Sequence, residues 1–184
     1  MKKIVAFGAS SSINSINKDF AAYTASQIPD SDPVILNLID FEMPIYSIDK
    51  DKKDGIPALA YKFKEILKNS DGIIISFAEH NGVYTSAFKN IFDWISRIDK
   101  VVWCNKPMFL LATSDGKRGA KLVLEIAHSR MSRGNPFEIP IFSLPNFYEN
   151  FSKNKKAITP IIWETFGRGG MGEGSSGNDI FYVK

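Results

Sequence analysis

Hydroxyl and amide side chains are concentrated in one short loop near the start of the chain. From Gly8 to Asn17 the sequence reads GASSSINSIN, and its last eight residues include four serines and two asparagines. Such a loop in front of a helix offers free backbone N–H groups, the positive end of the helix dipole and further hydrogen-bond donors. The loop therefore predicts a phosphate site. The alternative is that Asn14 or Ser15 only caps the helix.

The same loop lacks the features of two common nucleotide sites. It has neither the GxGxxG spacing of dinucleotide-binding folds nor the lysine of a P-loop. The sequence thus argues against a dinucleotide fold of the usual kind and against a P-loop nucleotide hydrolase. A ligand with a single terminal phosphate, such as FMN, fits the loop better.

Buried strands and amphipathic helices alternate along the chain around this loop. Short apolar runs predict strands that are covered on both faces. These runs are Lys2 to Ala9, Pro33 to Leu38, Gly72 to Phe77, Lys106 to Ala112 and Phe137 to Phe142. Apolar residues three and four positions apart predict the helices between them. The helical patterns cover Phe20 to Ile28, Leu59 to Leu67, Phe88 to Ile95 and Ala120 to Met131.

This alternation predicts an α/β fold with a flavodoxin-like, doubly wound sheet. We expect five parallel strands in the order 2-1-3-4-5, with right-handed crossovers and helices on both faces. In such sheets the ligand binds outside the carboxyl ends of the strands, and FMN lies at the switch between strands one and three. The loops after strands one, three and four are therefore the places to look for chemistry. The polar loop from Asp40 to Gly55 is long enough to be functional as well.

Composition and charge exclude several classes of protein. The net charge of +3 comes from 23 basic and 20 acidic residues that are scattered along the chain without a basic run, so we expect no nucleic-acid partner. No segment has the roughly 18 consecutive apolar residues of a membrane span. The single cysteine, Cys104, excludes an internal disulfide and agrees with a reducing compartment. We expect a soluble, cytoplasmic protein with no membrane partner and no metal site.

Two further loops at the predicted carboxyl edge have unusual sequences. The segment after the third strand reads AEHNGVYT from Ala78 to Thr85, and the helix that follows contains Phe88-Lys89-Asn90 and Asp93-Trp94. The segment after the fourth strand reads ATSDGKRGA from Ala112 to Ala120.

Together with Met43-Pro44-Ile45-Tyr46, these three loops resemble the NADPH-dependent FMN reductase family. The family patterns read roughly GSxRxxSxN, then PEYN, LKN and a DW pair, and finally STSPGGRGG. They occur here in the same order, and the resemblance covers about residues 2 to 160. It implies a flavodoxin-like fold that binds FMN.

The resemblance also implies which residues hold each part of the cofactor. The FMN phosphate is assigned to the side chains of Ser10, Ser12, Ser15 and Asn17 and to the backbone N–H of Ile16. Ser12 stands where many family members carry arginine. The residues implied to border the flavin are Ala78, Glu79, His80, Asn81 and Gly82, and the far edge of the ring is assigned to Thr113, Ser114 and Gly116. Gly119 is expected to let the following helix approach closely.

Two of the implied site residues keep alternative interpretations. His80 is either a wall of the flavin site or an acid, and the wall is favoured because the flavin itself performs the hydride chemistry. Arg118 either meets a nucleotide phosphate of the nicotinamide substrate or is only solvated. No side chain is assigned a catalytic role.

The function implied by the resemblance is an FMN-dependent oxidoreductase. Hydride passes from NADPH or NADH to bound FMN and then to a small acceptor: a quinone, an azo compound, free flavin or a metal ion. A homodimer or homotetramer is expected from the family. One alternative is a flavodoxin-like electron carrier that has no small-molecule substrate, and another is a flavin-free binding protein.

Residues 1–166 are predicted to form the FMN-binding domain. After Pro160 the apolar pattern weakens, and six of the 13 glycines fall between Gly167 and Gly177. Residues 167–184 are therefore predicted to form a Gly-rich, flexible tail. The alternative for the GRGGMG segment is an anion-binding nest.

Overall fold

The computed structural model of the chain describes residues 1–151 and 181–182. Its strands are β1 (Lys2–Ala9), β2 (Ser31–Leu36), β3 (Gly72–Phe77), β4 (Met108–Thr113), β5 (Ile141–Leu144) and β6 (Phe181–Tyr182). Its helices are α1 (Ile16–Ser26), α2 (Ile48–Asp54), α3 (Ala58–Lys68), α4 (Ser86–Ile98), α5 (Lys121–Met131) and α6 (Phe147–Asn150), with a 3-10 turn at Leu38–Phe41.

The strands form one parallel sheet in the order β2-β1-β3-β4-β5-β6. The register places Val5 beside Val34 on one side and beside Ile73 on the other. The predicted five-stranded order 2-1-3-4-5 is confirmed. The short strand β6 is an addition that the sequence analysis did not predict, and it pairs with Phe142 and Ser143 of β5. Most of the predicted tail and the predicted domain boundary lie outside the described residues.

Helices cover both faces of the sheet. On one face, α1 and α6 pack over Ile4, Ala6, Ile74, Phe109 and Leu111. On the other face, α3, α4 and α5 pack over the alternate residues of the same strands, including Val5, Phe7, Ile75 and Leu110. The apolar runs that predicted the strands are continuous because each strand is buried on both faces.

Three strands have boundaries that differ from the predicted ones. The strand β2 begins earlier, at Ser31, and β4 begins two residues later than the apolar run. The prediction of a strand from Phe137 to Phe142 is wrong for its first four residues, since β5 begins only at Ile141. The reason is local: Pro140 has no N–H to donate to a ladder, and Phe137 is 37% exposed.

The loop predicted from Asp40 to Gly55 is largely helical. It contains the end of the 3-10 turn and the whole of α2. Ser47 caps α2 by accepting a hydrogen bond from the backbone N–H of Lys50, and Gly55 ends it with a positive φ of 75°. No residue of α2 is buried, which explains why this short helix has no apolar pattern to reveal it.

Close packing of α1 on β1 requires a glycine at position 8. A Cβ atom at Gly8 would collide with the backbone nitrogen of Lys18 and would lie 2.8 Å from the carbonyl carbon of Asn17. Neither neighbour is the movable end of a side chain. The first turn of α1 is thus held directly against the carboxyl end of β1.

Among the described residues, no helix is long and apolar enough to cross a membrane.

An aromatic cluster packs α4 against the sheet. Phe88 lies 5.2 Å from Phe77, 5.1 Å from Tyr84 and 6.2 Å from Trp103, measured between ring centroids. The hydroxyl group of Tyr84 is buried and has no hydrogen-bond partner within the described part of the chain. Burial raises the pKa of Tyr84 to about 12, although nearby Arg130 opposes the shift.

Replacing Tyr84 by phenylalanine tests this unpaired hydroxyl. Because no hydrogen bond is lost, Tyr84→Phe should leave the free energy of unfolding at pH 7 unchanged or raise it by up to about 1 kcal/mol. The folded-state pKa of about 12 lies above the ordinary value, so protonated Tyr84 favours the folded state below about pH 10, and this contribution is lost as the pH rises towards 12. The Tyr84→Phe variant should not lose this contribution to stability between pH 10 and 12.

Urea unfolding of wild type and variant at pH 7 and between pH 10 and 12 measures both effects. Tyr148→Phe is the matched control, since Tyr148 is 74% exposed. A destabilisation of Tyr84→Phe by more than about 1 kcal/mol at pH 7 would show that the hydroxyl is hydrogen-bonded after all.

Candidate functional site

The first loop connects β1 to α1 and presents a set of hydrogen-bond donors. Ser15 caps α1, with its Oγ accepting from the backbone N–H of Lys18 at 3.2 Å. The Oγ of Ser10 accepts from the N–H of Ser12 at 3.1 Å. Each of these hydroxyl groups accepts one bond within the loop and keeps its own hydrogen to donate. The backbone N–H groups of Ile16 and Asn17 belong to the first helical turn, which has no carbonyl partner for them.

The side chain of Asn17 forms three hydrogen bonds within the protein. Its Oδ1 accepts from Ser76 Oγ at 2.7 Å and from the N–H of Thr113 at 3.2 Å, while its Nδ2 donates to the carbonyl oxygen of Thr113 at 3.1 Å. The residue is only 3% exposed. The amide side chain therefore joins α1 to the ends of β3 and β4, while the backbone N–H of Asn17 lies in the first turn of the helix.

The second loop is a tight two-residue turn. The backbones of His80 and Val83 exchange hydrogen bonds of 3.0 and 3.1 Å, and Asn81 and Gly82 have positive φ angles of 52° and 82°. An Asn-Gly pair with two positive φ angles is the sequence that a type I′ turn requires. The turn fixes the backbone of this loop, and the His80 side chain is exposed with no hydrogen bond to a described residue.

Glu79 fastens the second loop to the next helix. Its carboxylate accepts a 3.0 Å hydrogen bond from the backbone N–H of Val123 in the first turn of α5. A negative charge at that end of a helix is favourable. The carboxylate of Glu79 is thus used inside the protein, and what Glu79 offers at the edge of the sheet is its backbone, next to half-buried Ala78.

Thr85 connects the first and second loops. Its Oγ1 donates to the carbonyl oxygen of Ala9 at 2.8 Å and accepts from the N–H of Phe88 at 3.2 Å. A single side chain therefore caps α4 and binds the carboxyl end of β1. The family resemblance did not point to Thr85, although a threonine directly before an apolar helical pattern is a typical N-cap signal.

The third loop is fixed from both of its ends. The hydroxyl of Thr113 donates to the carbonyl oxygen of Leu144 at 2.7 Å, and the carbonyl oxygens of Ser114 and Gly116 accept from the backbone of the segment that opens α6. Thr113 is buried, Ser114 is half-buried and Gly116 is exposed. The side chain of Thr113 therefore contributes to the fold, which leaves Ser114 and Gly116 at the surface.

Gly119 allows a close approach, but to β5 and not to a helix. Its φ is +57°, and a Cβ atom there would lie 2.6 Å from Ser143 Oγ and 2.8 Å from the backbone nitrogen of Pro145. Arg118, one position earlier, is exposed, and its side chain has no hydrogen bond or ion pair with a described residue. Its position at the carboxyl edge fits either of its two interpretations.

Two residues of α4, Asn90 and Trp94, bind the segment Met43–Tyr46 through hydrogen bonds. Asn90 donates to the carbonyl oxygens of Met43 and Pro44 and accepts from the N–H of Tyr46 at 2.8 Å. Trp94 Nε1 donates to the carbonyl oxygen of Pro44 at 2.7 Å. These two residues position the Met43–Tyr46 segment.

Taken together, the three loops form a rigid edge that is rich in backbone donors. The side chains of Asn17, Glu79, Thr85 and Thr113 are bonded within the protein and fix the loops, while hydroxyl hydrogens and helix N–H groups remain at the first loop. Within the described ranges, no group of three or more His, Cys, Asp or Glu side chains could hold a metal ion. The arrangement at the first loop is suited to binding an anionic group.

A cation that was not predicted from the sequence lies beside the first loop. Lys18, directly after the serine-rich loop, donates from its Nζ to the carbonyl oxygen of Ile13 at 3.3 Å. The signal was present in the sequence, because a lysine in the first turn of a helix lies near the loop that precedes it.

Comparison with known proteins places the chain among flavin-dependent reductases. The model of the family described as NADPH-dependent FMN reductase matches residues 2–145. A 2-hydroxy-1,4-benzoquinone reductase of a Burkholderia species is 32% identical over 111 residues, which cover 59% of this chain and 58% of that protein. A quinone reductase of Escherichia coli is 30% identical over 78 residues, 42% of each chain. The chain thus spans about half the length of the curated relatives it matches.

Solved structures agree on the fold. The flavoenzyme NAD(P)H:(acceptor) oxidoreductase FerB of Paracoccus denitrificans superposes with a TM-score of 0.70 at 19% identity, covering 93% of this chain and 100% of that one. At this level of identity the likeness concerns the fold alone.

Removing the Asn17 amide tests its role in the fold. Asn17→Ala leaves Ser76 Oγ and the N–H of Thr113 without their buried partner, so we expect a loss of about 2–4 kcal/mol in the free energy of unfolding. Urea unfolding followed by circular dichroism provides the measurement. Asn14→Ala is the matched control, because Asn14 is exposed in the same loop; equal stability of the two variants would refute the buried role of Asn17.

Proposed function

Because the chain belongs to the NADPH-dependent FMN reductase family, we propose that it is an oxidoreductase that binds FMN at the carboxyl edge of its sheet. NADPH or NADH is the electron donor, and a small molecule is the acceptor. The observation that carries this proposal is the first loop, where hydroxyl groups and free helix N–H groups converge at the switch between β1 and β3.

The donors of the first loop fit a phosphate monoester. The hydroxyls of Ser10 and Ser15 each keep a hydrogen to donate, and Ile16 and Asn17 add two N–H groups at the positive end of α1. Ser12 lies exposed at the tip of the loop. Such a set binds an anion better than a cation or an apolar group, because every group in it is able to donate a hydrogen bond.

The second and third loops fit the edges of a flat ring. The type I′ turn at Asn81 and Gly82 presents backbone between β3 and α4, and its side chains His80 and Asn81 are exposed. On the other side, Ser114 and Gly116 lie at the surface of the third loop. We assign Ala78 to Gly82 and Ser114 to Gly116 to the two sides of the flavin, with Arg118 available to a nucleotide phosphate.

Bound FMN supplies the redox chemistry, in which hydride from the nicotinamide is accepted and then passed to the acceptor in a second half-reaction. The protein's own residues bind and orient the reactants. No described side chain orients the imidazole of His80, so His80 serves as a wall and we assign no catalytic side chain. Backbone donors at the second loop favour negative charge next to them.

The acceptor is proposed to be a quinone, an azo compound, free flavin or a metal ion. The relatives named as quinone reductases support a quinone. We also propose a homodimer or homotetramer in the cytoplasm. Val83 and Leu122, which are 48% and 52% exposed beside the second loop, provide an apolar surface for a second subunit.

Anaerobic spectroscopy tests the proposed function. The purified protein should bind FMN, and addition of NADPH or NADH should bleach the flavin absorbance; adding a quinone should restore it. A protein that takes up no FMN would contradict both the reductase and the electron-carrier hypotheses. If FMN binds but neither nicotinamide reduces it within minutes, the flavodoxin-like carrier is the better interpretation.

A charge introduced at Ser15 tests the position of the phosphate. Aspartate is as good an N-cap as serine, so Ser15→Asp keeps the cap on α1 while placing a negative charge beside the phosphate. We expect FMN affinity to fall at least about tenfold through repulsion, measured by quenching of flavin fluorescence.

The matched control for this variant is Ser47→Asp. Ser47 caps α2 through the same kind of bond, to the N–H of Lys50 at 3.2 Å, but lies outside the three loops. Its FMN affinity should remain that of the wild type. Unchanged affinity in Ser15→Asp would place the phosphate elsewhere.

A further inference from the structure

Lys18 places a positive charge over the first loop. From Gly8 to Asn17 the sequence has no charged side chain, and Lys18 is the next residue. Its backbone N–H is fixed to Ser15 Oγ, and its ammonium group donates to the carbonyl oxygen of Ile13 at 3.3 Å. The side chain therefore folds back from the first turn of α1 towards the loop, in the direction in which helical side chains point.

A lysine at this position is electrostatically unfavourable when the loop is empty. The first turn of a helix carries partial positive charge, which repels a cation. Within the described part of the chain, Lys18 forms no ion pair that would offset this repulsion, and its neighbour Asp19 is exposed without a bond to it. An anion in the loop would turn the repulsion into attraction.

We propose that Lys18 is the cation of the FMN phosphate site and gives the protein its preference for FMN over riboflavin. This role rests on the proposed function. An ammonium group has three N–H donors, and Ile13 takes one of them, which leaves two for phosphate oxygens. Lysine acts on a phosphate as a compact point charge and needs no bidentate geometry.

Lys18 compensates for the absence of a charged side chain at position 12. The resemblance implies an arginine there in many family members, whereas Ser12 contributes no charge. Lys18 supplies the charge from the helix side of the loop. The site thus keeps one cation for its phosphate, although the cation comes from a different position in the sequence.

Comparing two flavins isolates the phosphate contribution. FMN and riboflavin share the ring and differ in the phosphate, so a residue that acts on the phosphate changes only the affinity for FMN. Flavin-free protein is titrated with each compound, and quenching of flavin fluorescence gives both dissociation constants. Lys18→Met should weaken FMN binding about tenfold and leave riboflavin binding unchanged. Its FMN affinity should also depend less on salt than that of the wild type.

Three further variants serve as controls. Lys68→Met removes the same charge from the last turn of α3, where Lys68 is exposed, and should bind both flavins as the wild type does. Lys18→Arg keeps the charge and should keep most of the preference for FMN. The double variant Lys18→Met with Ser12→Arg should regain part of the preference for FMN, because a cation returns to the loop.

Thermal unfolding of the flavin-free proteins separates binding from a structural role. Removal of an unfavourable cation should leave the melting temperature of Lys18→Met unchanged or higher. Equal weakening of FMN and riboflavin, with a lower melting temperature, would overturn the proposal and show that Lys18 only supports the loop. An unchanged ratio of the two dissociation constants would overturn it too. If wild-type protein bound neither flavin, the proposed function itself would fail.

Discussion

The buried amide of Asn17 is the interaction on which the arrangement of the site depends. Its three hydrogen bonds connect the first turn of α1 to Ser76 near the end of β3 and to both backbone groups of Thr113 at the end of β4. These are the strands whose loops border the candidate site. Since a buried polar group without partners is costly, a change in the relative position of α1, β3 and β4 at this edge would be opposed by the loss of these bonds.

The other polar contacts extend the same principle. Thr85 ties the end of β1 to α4, and Glu79 ties the second loop to α5. Asn90 and Trp94 hold the Met43–Tyr46 segment. In each case a side chain that could have faced a ligand is instead bonded to backbone within the protein. The consequence is a rigid edge whose backbone groups and few free hydroxyls remain for a ligand, and such preorganisation lowers the entropy lost on binding.

Electrostatics at this edge are local and do not follow from the net charge. The charged residues behind the net charge of +3 are scattered along the chain. The first loop itself has no charged side chain, and the nearby positive charge comes from Lys18. Helix ends supply the rest: the start of α1 offers free N–H groups to an anion, while the start of α5 has already bound the Glu79 carboxylate. Two helices that begin at the same edge thus differ in what they can bind.

The sequence predicted the order of the first five strands, the helices on both faces and the three loops. It did so because strands that are covered on both faces are continuously apolar, and because the buried face of a helix repeats every three to four residues. It did not predict the start of β5 or the helix α2, since Pro140 interrupts a largely apolar run and α2 buries nothing. For the site, the sequence indicated which residues lie at the edge but not which way they face. Asn17, Glu79 and Thr113 turn inwards because their partners, between 31 and 96 positions away, meet them only in the folded chain.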